Sequence, residues 1–186
     1  MSARAAAAEA TRDRVVDAAC AAFETSWYDD VTLRGVAGAA GVALQTVVNH
    51  FGTKEALFAA AAERSSERIP SGRWEAEPGD VESALQILVD DYERHGDMFI
   101  RSLAVEGRVP VVGPTLERGR REHREWVEHV FAAALRGLPS GTRERRLDQL
   151  VVATDVYTWK ILRRDQGRDR HHTLSAMCEL VHALHR

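Results

Sequence analysis

The chain has 186 residues, 45% hydrophobic and 28% charged, enough for one large or two small domains with real cores in an ordinary globular composition. Its net charge of −3 excludes a polycation that coats nucleic acid indiscriminately, and no run is long and apolar enough to span a membrane. Two isolated cysteines, Cys20 and Cys178, each lie on a helical pattern and are expected to be reduced core residues.

The N-terminus is alanine-rich, but Arg4, Glu9 and Arg12 interrupt it and it lacks the apolar core of a signal peptide. A cytoplasmic location is expected. A first helix carries Val16, Cys20 and Phe23 on a buried line, and Tyr28 precedes a turn. Thr32 can cap a second helix by accepting from an orphan N–H two or three residues on. Leu33, Val36, Ala37 and Ala40 recur at helical spacing, so one face of it is buried. Gly41 stands where a left-handed residue must end the helix, a conformation that glycine takes at little cost.

A third helix runs from about Ala43 to Asn49. At 100° per residue, Leu44, Val47, Val48 and Phe51 cluster on one side, and Gln45, Thr46, Asn49 and His50 fall on the other. Gln and Asn pair bidentately with adenine in the major groove, and a Thr methyl packs on thymine. No acid lies on that stripe. Thr53 caps a further helix with Lys54 in its first turn, where the helix dipole disfavours a cation and a bound phosphate would favour it. Two short helices joined by a tight glycine turn, the second with an uncharged polar stripe, make sequence-specific DNA binding the leading reading. The bland alternative is a helical hairpin with a solvated polar face.

These residues resemble the tetracycline-repressor (TetR) family of bacterial transcriptional regulators. The resemblance covers about Arg14 to Phe58. It rests on Ala18, Ala19, Phe23, Tyr28, Thr32, Val36-Ala37, Ala40-Gly41-Val42, Thr46-Val47, His50-Phe51, Lys54-Glu55 and Leu57. It implies an N-terminal three-helix DNA-binding domain, a C-terminal helical ligand and dimerisation domain, and repression relieved by a small molecule. Ala43 stands where the family usually has Ser or Thr, Gln45 where it has Gly, and Val48 where it has a phosphate-touching Tyr. The contacts expected with DNA are Gln45, Thr46 and Asn49 to bases, and Thr32, His50 and Lys54 to the backbone. Arg34 belongs to a local basic patch with Arg12, Arg14 and Lys54, and Leu44 and Val48 flank the reading face. Through Phe58 the chain has five Lys and Arg against seven Asp and Glu, so a modest salt dependence and reliance on two subunits are expected.

The rest reads as helix. Pro70-Ser71-Gly72 and Pro78-Gly79 mark a junction, giving a DNA-binding domain over 1–67 and a ligand-binding and dimerisation domain over 68–186. Asp80 caps a helix that Gly96 ends, and a short helix follows from Met98 to Ala104. One long helix is expected from about Thr115 to Arg136, and another from a Thr142 cap to Asp165. A last helix runs from about Asp169 to Leu184. The sum is an all-α fold of about nine helices. In the second long helix Leu147, Leu150, Val151, Thr154, Tyr157 and Ile161 form a wide stripe, with Val156 and Trp159 beyond it. Leu174, Met177, Cys178, Val181 and Leu184 form another stripe in the last helix. Apolar area beyond the needs of one core suggests an interface, and the resemblance implies a homodimer through these helices.

The helices expected to surround a ligand carry Met98, Phe99, His123, Trp126, Val127 and Tyr157, a lining suited to an apolar or aromatic compound. His123 lies on an inward line with Leu116, Val127 and Val130. It is either a ligand contact or a core histidine satisfied by a carbonyl or by a neighbour such as Glu106. Cys178, His182 and His185, with His171 and His172 nearby, lack structural-zinc spacing, so no metal is expected. No phosphate loop, nucleophile elbow or His-Glu-x-x-His motif is present, and neither a cofactor nor catalysis is expected. The expected function is a DNA-binding regulator, a repressor released from a palindromic operator by a small effector. The alternative is a helical small-molecule-binding or interaction protein whose DNA binding is lost or weak.

Overall fold

The computed structural model describes residues 3–68 and 71–184, and among these the regular structure is helical with no strand. Pro70 of the expected junction and His185 of the histidine cluster lie outside the described residues. The chain divides into two compact units. The first comprises Met1–Ile69 and Arg101–Leu116, and the second Pro70–Ile100 and Glu117–Arg186.

In the first unit, α1 (Ala3–Thr25), α2 (Leu33–Ala40), α3 (Leu44–Phe51) and α4 (Lys54–Arg68) enclose one core. Helix α1 contributes Val15, Val16, Ala19, Cys20 and Phe23, all on one side of a 3.6-residue repeat. Phe23, Tyr28 and Phe58 form an aromatic cluster, with Phe58 centroids 4.6 Å from Phe23 and 5.1 Å from Tyr28. Cys20 is a free thiol that donates to the Ala61 carbonyl at 3.4 Å, as a small core residue should. The segment from Arg101 to Leu116 closes this core with Val105, Val109 and Val112. It is also tied to the unit at its surface, where Arg108 reaches both carboxylate oxygens of Asp29 at 3.0 and 3.2 Å.

The second unit contains most of α5 (Val81–Leu103) and α6 (Gly113–Val130), with α7 (Ala132–Leu135), α8 (Ser140–Thr154), α9 (Val156–Lys160) and α10 (Arg170–Ala183). Asp80 caps α5 as expected, accepting from Ser83 N at 3.1 Å, and Asp169, at the expected start of the last helix, caps α10 by accepting from His172 N at 2.7 Å. The breaks between helices differ from expectation in four places. Helix α5 continues through Gly96 to Leu103. The expected helix to Arg136 breaks at Phe131, which leaves the helical region at φ −100° and ψ 25° while its ring is buried. Helix α8 starts at Ser140, before Thr142. The long helix to Asp165 is interrupted at Asp155, whose extended backbone ends α8 and whose carboxylate caps α9 from Tyr157 N at 2.8 Å. A π-helical turn, Ile161–Asp165, follows α9.

The Asp155 break changes which residues face inward. Leu147, Leu150 and Thr154 of the expected stripe are buried, but Tyr157 and Ile161 are about half exposed, while Val156 and Trp159 take the inner positions. Tyr157, Ile161, Val152 and Leu180 are left as exposed apolar surface. Beside them Ile161, Leu162, Ala176, Leu180 and Ala183 line an open groove of about 460 Å³.

Gly96 sits in mid-helix because Trp159 needs the space. A Cβ on Gly96 would lie 2.5 Å from Trp159 Cζ3 and 2.7 Å from Cη2. The indole is held there by Nε1, which donates to Glu93 Oε1 at 2.9 Å. Arg163 clamps the same carboxylate at 2.6 and 2.8 Å, and the Arg164 guanidinium lies 4.6 Å above the ring. Alanine in place of glycine normally stabilises a helix interior by about 1 kcal/mol. Here Gly96→Ala is expected to destabilise the protein by about 1–3 kcal/mol through overpacking. The urea midpoint should therefore fall, and a raised midpoint would mean that the indole does not rest on Gly96.

Candidate functional site

The expected DNA-reading face is built by anchoring rather than by helix propensity. Thr32 Oγ1 accepts from Gly35 N at 3.0 Å and so starts α2. Gly41 ends α2 at φ 66°, and Val42 N returns to the Ala37 carbonyl at 3.0 Å. Helix α3 then begins at Ala43, which supplies no side-chain cap. Val47 is fully buried, and Leu44 and Phe51 are half-buried against the same core. Those three anchors fix the rotation of α3. Gln45, Asn49 and His50 are exposed, and Thr46 and Val48 half-buried. Leu44 thus serves mainly as an anchor at the edge of the face.

Gln45 Nε2 donates to Asn49 Oδ1 at 2.8 Å, so the two amides expected to read bases form a coupled pair one turn apart. Arg34 is exposed on α2. Arg12 lies 5.5 Å from the Phe51 ring centroid at the end of α3. Thr53 starts α4 by accepting from Ala56 N at 3.2 Å. The cation in the first turn of α4 has an intramolecular explanation that the sequence reading did not supply. Lys54 Nζ lies 4.2 Å from the Tyr28 ring centroid and 3.3 Å from the Asp29 carbonyl oxygen. Tyr28 in turn donates to Glu55 Oε1 at 3.1 Å. Burial, with the Glu55 carboxylate beside it, pushes the Tyr28 phenol up to about 12.

The residues expected around a ligand are only partly brought together. His123 and Trp126 stack at 5.9 Å with a 20° interplanar angle, and Trp126 and Val127 are fully buried. Phe99 is half-buried beside His95, 6.3 Å between centroids, and Met98 is half-buried on the same helix. Tyr157 belongs to the exposed apolar surface, turned there by the break at Asp155. The hydrogen-bond partner of His123 is Thr154, whose Oγ1 lies 3.1 Å from Nε2. Burial, and then the charge of Arg73, lowers its pKa from 6.5 to about 3.

A polar cluster beside His123 escaped the sequence reading. Arg73 is bound to the buried Asp91, with Nε 2.7 Å from Oδ2. Asp91 Oδ1 faces His95 Nδ1 at 2.8 Å, and Tyr92 donates to the Thr154 carbonyl at 3.0 Å. The signal was available. Asp91 and His95 continue the inward line of Ala84 and Leu88, and an acid on an apolar stripe marks a buried partner. Of the histidines near the end of the chain, His182 lies 3.2 Å from Glu82.

Residues 15–61 match the family model for bacterial regulatory proteins of the tetR family. Among solved structures, the chain is similar to a transcriptional regulator from Rhodococcus sp. Rha1. The TM-score is 0.73 at 19% identity, over 92% of this chain and 94% of that one. It is also similar to a tetR-family transcriptional regulator from Streptomyces coelicolor, with a TM-score of 0.71 at 19% identity, over 95% and 79% of the two chains. A third likeness is to the multidrug binding protein EbrR complexed with imidazole, with a TM-score of 0.60 at 19% identity, over 91% and 88%. At such identities the likeness is one of fold. No curated protein matches the chain in sequence.

The depressed His123 makes a prediction about acid stability. The unfolded histidine takes up a proton below about pH 6.5, whereas the folded one stays neutral down to about 3. The unfolded state therefore binds more protons in that window, and stability contributed by the neutral ring is full above it and lost as pH falls through it. Relative to a His123→Phe variant, the wild type should lose unfolding free energy between pH 6.5 and 3. A pH-independent difference between the two denaturation series would show that the folded ring titrates normally.

Proposed function

We propose that this chain, which belongs to the tetR family of bacterial regulatory proteins by its N-terminal domain and its fold, is a homodimeric transcriptional repressor. It binds a palindromic operator and leaves it when a small apolar or aromatic ligand binds. The carrying observation is the exposed, acid-free row of Gln45, Asn49 and His50 on a helix held by Val47. Gln45, Thr46 and Asn49 would read bases. Thr32, Arg34, His50 and Lys54 would set the duplex backbone, with Leu44 and Val48 bordering the groove. For Lys54 this means exchanging the Tyr28 ring and the Asp29 carbonyl for a phosphate.

Residues 1–67 are proposed as the DNA-binding domain and 68–186 as the ligand-binding and dimerisation domain. The exposed Val152, Tyr157, Ile161 and Leu180, the last pair lining one groove, support dimerisation through α8 to α10, since exposed apolar side chains favour an interface. The dimer has a mechanical role. Two recognition helices must enter half-sites about one helical turn, or a multiple, apart. A ligand that prefers a dimer with the wrong separation draws population away from the DNA-competent form, by no more than its differential affinity. The imidazole held by EbrR supports a small ring compound as the effector class. No helix among the described residues is long and apolar enough to cross a membrane, which suits a regulator working on DNA in the cytoplasm.

A second reading, a helical binding protein with weak DNA binding, draws on Val48 and on the acidic excess before Phe58. Selection from a random DNA pool at near-physiological salt separates the two. The regulator should enrich a palindrome, and folded dimer that enriches nothing would support the second reading. On the selected operator Gln45→Ala should lose about 1–3 kcal/mol for its bidentate contact. Because Gln45 holds Asn49, the double variant with Asn49→Ala should lose less than the sum of the single losses.

A further inference from the structure

Among the described residues of the second unit, one buried side-chain polar atom lacks a hydrogen-bond partner. His123 Nδ1 is buried and makes no hydrogen bond with any described residue. The roles around the ring follow from the neighbouring threonine. The Thr154 hydroxyl has one hydrogen, and its shortest acceptor is the Leu150 carbonyl at 2.8 Å, a back-bond typical of helical threonine. Its Oγ1 therefore meets His123 Nε2, at 3.1 Å, as an acceptor. The Val151 carbonyl also favours a proton on the ring. Nε2 carries the hydrogen, and Nδ1 is left as a bare lone pair.

The other polar groups of the cluster are already engaged. Arg73 is spent on Asp91, and Asp91 also faces His95. Trp126 Nε1 donates to the Arg73 carbonyl at 2.7 Å, and Tyr92 donates to the Thr154 carbonyl. The ring itself is stacked on the buried Trp126 indole, and Val127, one turn along the same helix, is also buried. The site thus presents one acceptor on a ring stacked against an indole, and its nearby cation, Arg73, is paired with Asp91.

We propose that His123 Nδ1 is the polar anchor of the effector site, and that the effector is a neutral, largely aromatic molecule bearing one hydrogen-bond donor, such as a phenolic hydroxyl or ring N–H. This rests on the ligand-binding reading above. An anion is disfavoured, because a neutral histidine lone pair repels it and the Arg73 guanidinium is already engaged by the Asp91 carboxylate. A pure hydrocarbon could stack on aromatic surface but would leave the buried lone pair desolvated and unpaired, which is costly.

The test compares phenol with anisole, its methyl ether, and with benzoate, by calorimetry on the full-length protein. Phenol should bind about five- to tenfold more tightly than anisole, the worth of one neutral hydrogen bond. Benzoate should bind no better than anisole. Nitrogen-15 spectra of histidine-labelled wild type should show His123 with a proton on Nε2 only, and phenol should shift Nδ1. His123→Phe should abolish the preference for phenol, and the wild-type spectra decide the matter should that variant not fold. Equal binding of phenol and anisole overturns the proposal. So do a proton on Nδ1, an Nδ1 signal unmoved by phenol because a retained water occupies it, and no phenol binding at millimolar concentration. Operator binding is measured on the same preparation. Intact operator binding with no phenol preference removes only the effector class, whereas failure to select an operator removes the regulator reading and leaves the His123 result standing.

Discussion

Burial of Val47 is the interaction on which the reading face depends. Helix α3 has eight residues, well below the length at which an isolated helix holds itself in water, and Ala43 gives it no side-chain cap. Its order must come from tertiary contacts. Val47 is fully buried, and Leu44 and Phe51, three residues before and four after it, rest on the same cluster. These positions define a single stripe, so the opposite side of the helix is determined once they are seated. Gln45, Asn49 and His50 face outward because the anchors leave them nowhere else to go. A polar substitution at Val47 would therefore disturb every outward residue at once.

The second unit solves a different problem. Its interior holds charged and polar groups, and such groups repay their burial only when their bonding capacity is met. Around Trp159 that condition holds, because one Glu93 carboxylate serves the indole N–H and the Arg163 guanidinium together. Around Arg73 and Asp91 it also holds, with His95 on the second carboxylate oxygen. His123 is the exception, satisfied at Nε2 and open at Nδ1. An incompletely satisfied histidine beside well-satisfied neighbours marks the place in this unit where a partner from outside the chain would gain most.

Local chemistry was legible in the sequence, and remote chemistry was not. Thr32, Gly41, Thr53 and Asp80 each act within a few residues of themselves, and each cap or turn stands where its residue type placed it. Gly96 misled because a glycine read locally signals a helix end, whereas its actual cause is an indole on a distant helix. Asp155 misled in the opposite direction. A continuous apolar stripe outweighed one good capping residue, and the stripe was then assigned to the wrong side beyond the break, which is why Tyr157 was expected inside. Of the candidate DNA residues, the outward set followed from the 100° rotation alone. The Gln45 to Asn49 bond and the Lys54 to Tyr28 contact depend on side-chain geometry that no periodicity encodes.

The charge of the N-terminal region constrains how recognition can work. Seven acids against five bases before Phe58 leave little nonspecific attraction to phosphate. Specificity must then come from base contacts, each good bidentate pair giving about 1–3 kcal/mol. A functional site must be preferred over random DNA by about 4–10 kcal/mol. With Gln45 and Asn49 as its bidentate readers, as proposed, one copy of α3 would reach only the lower part of that range. On the same proposal, two copies on one duplex would reach the middle of it without any added cation. A regulator built this way holds its site only while both copies are seated, so a ligand need not abolish each contact. Changing the separation of the two helices enough to unseat one copy removes about half of the discrimination. The net acidic charge leaves little residual attraction to keep the protein on DNA, and that makes such a reading domain well suited to control by a small molecule.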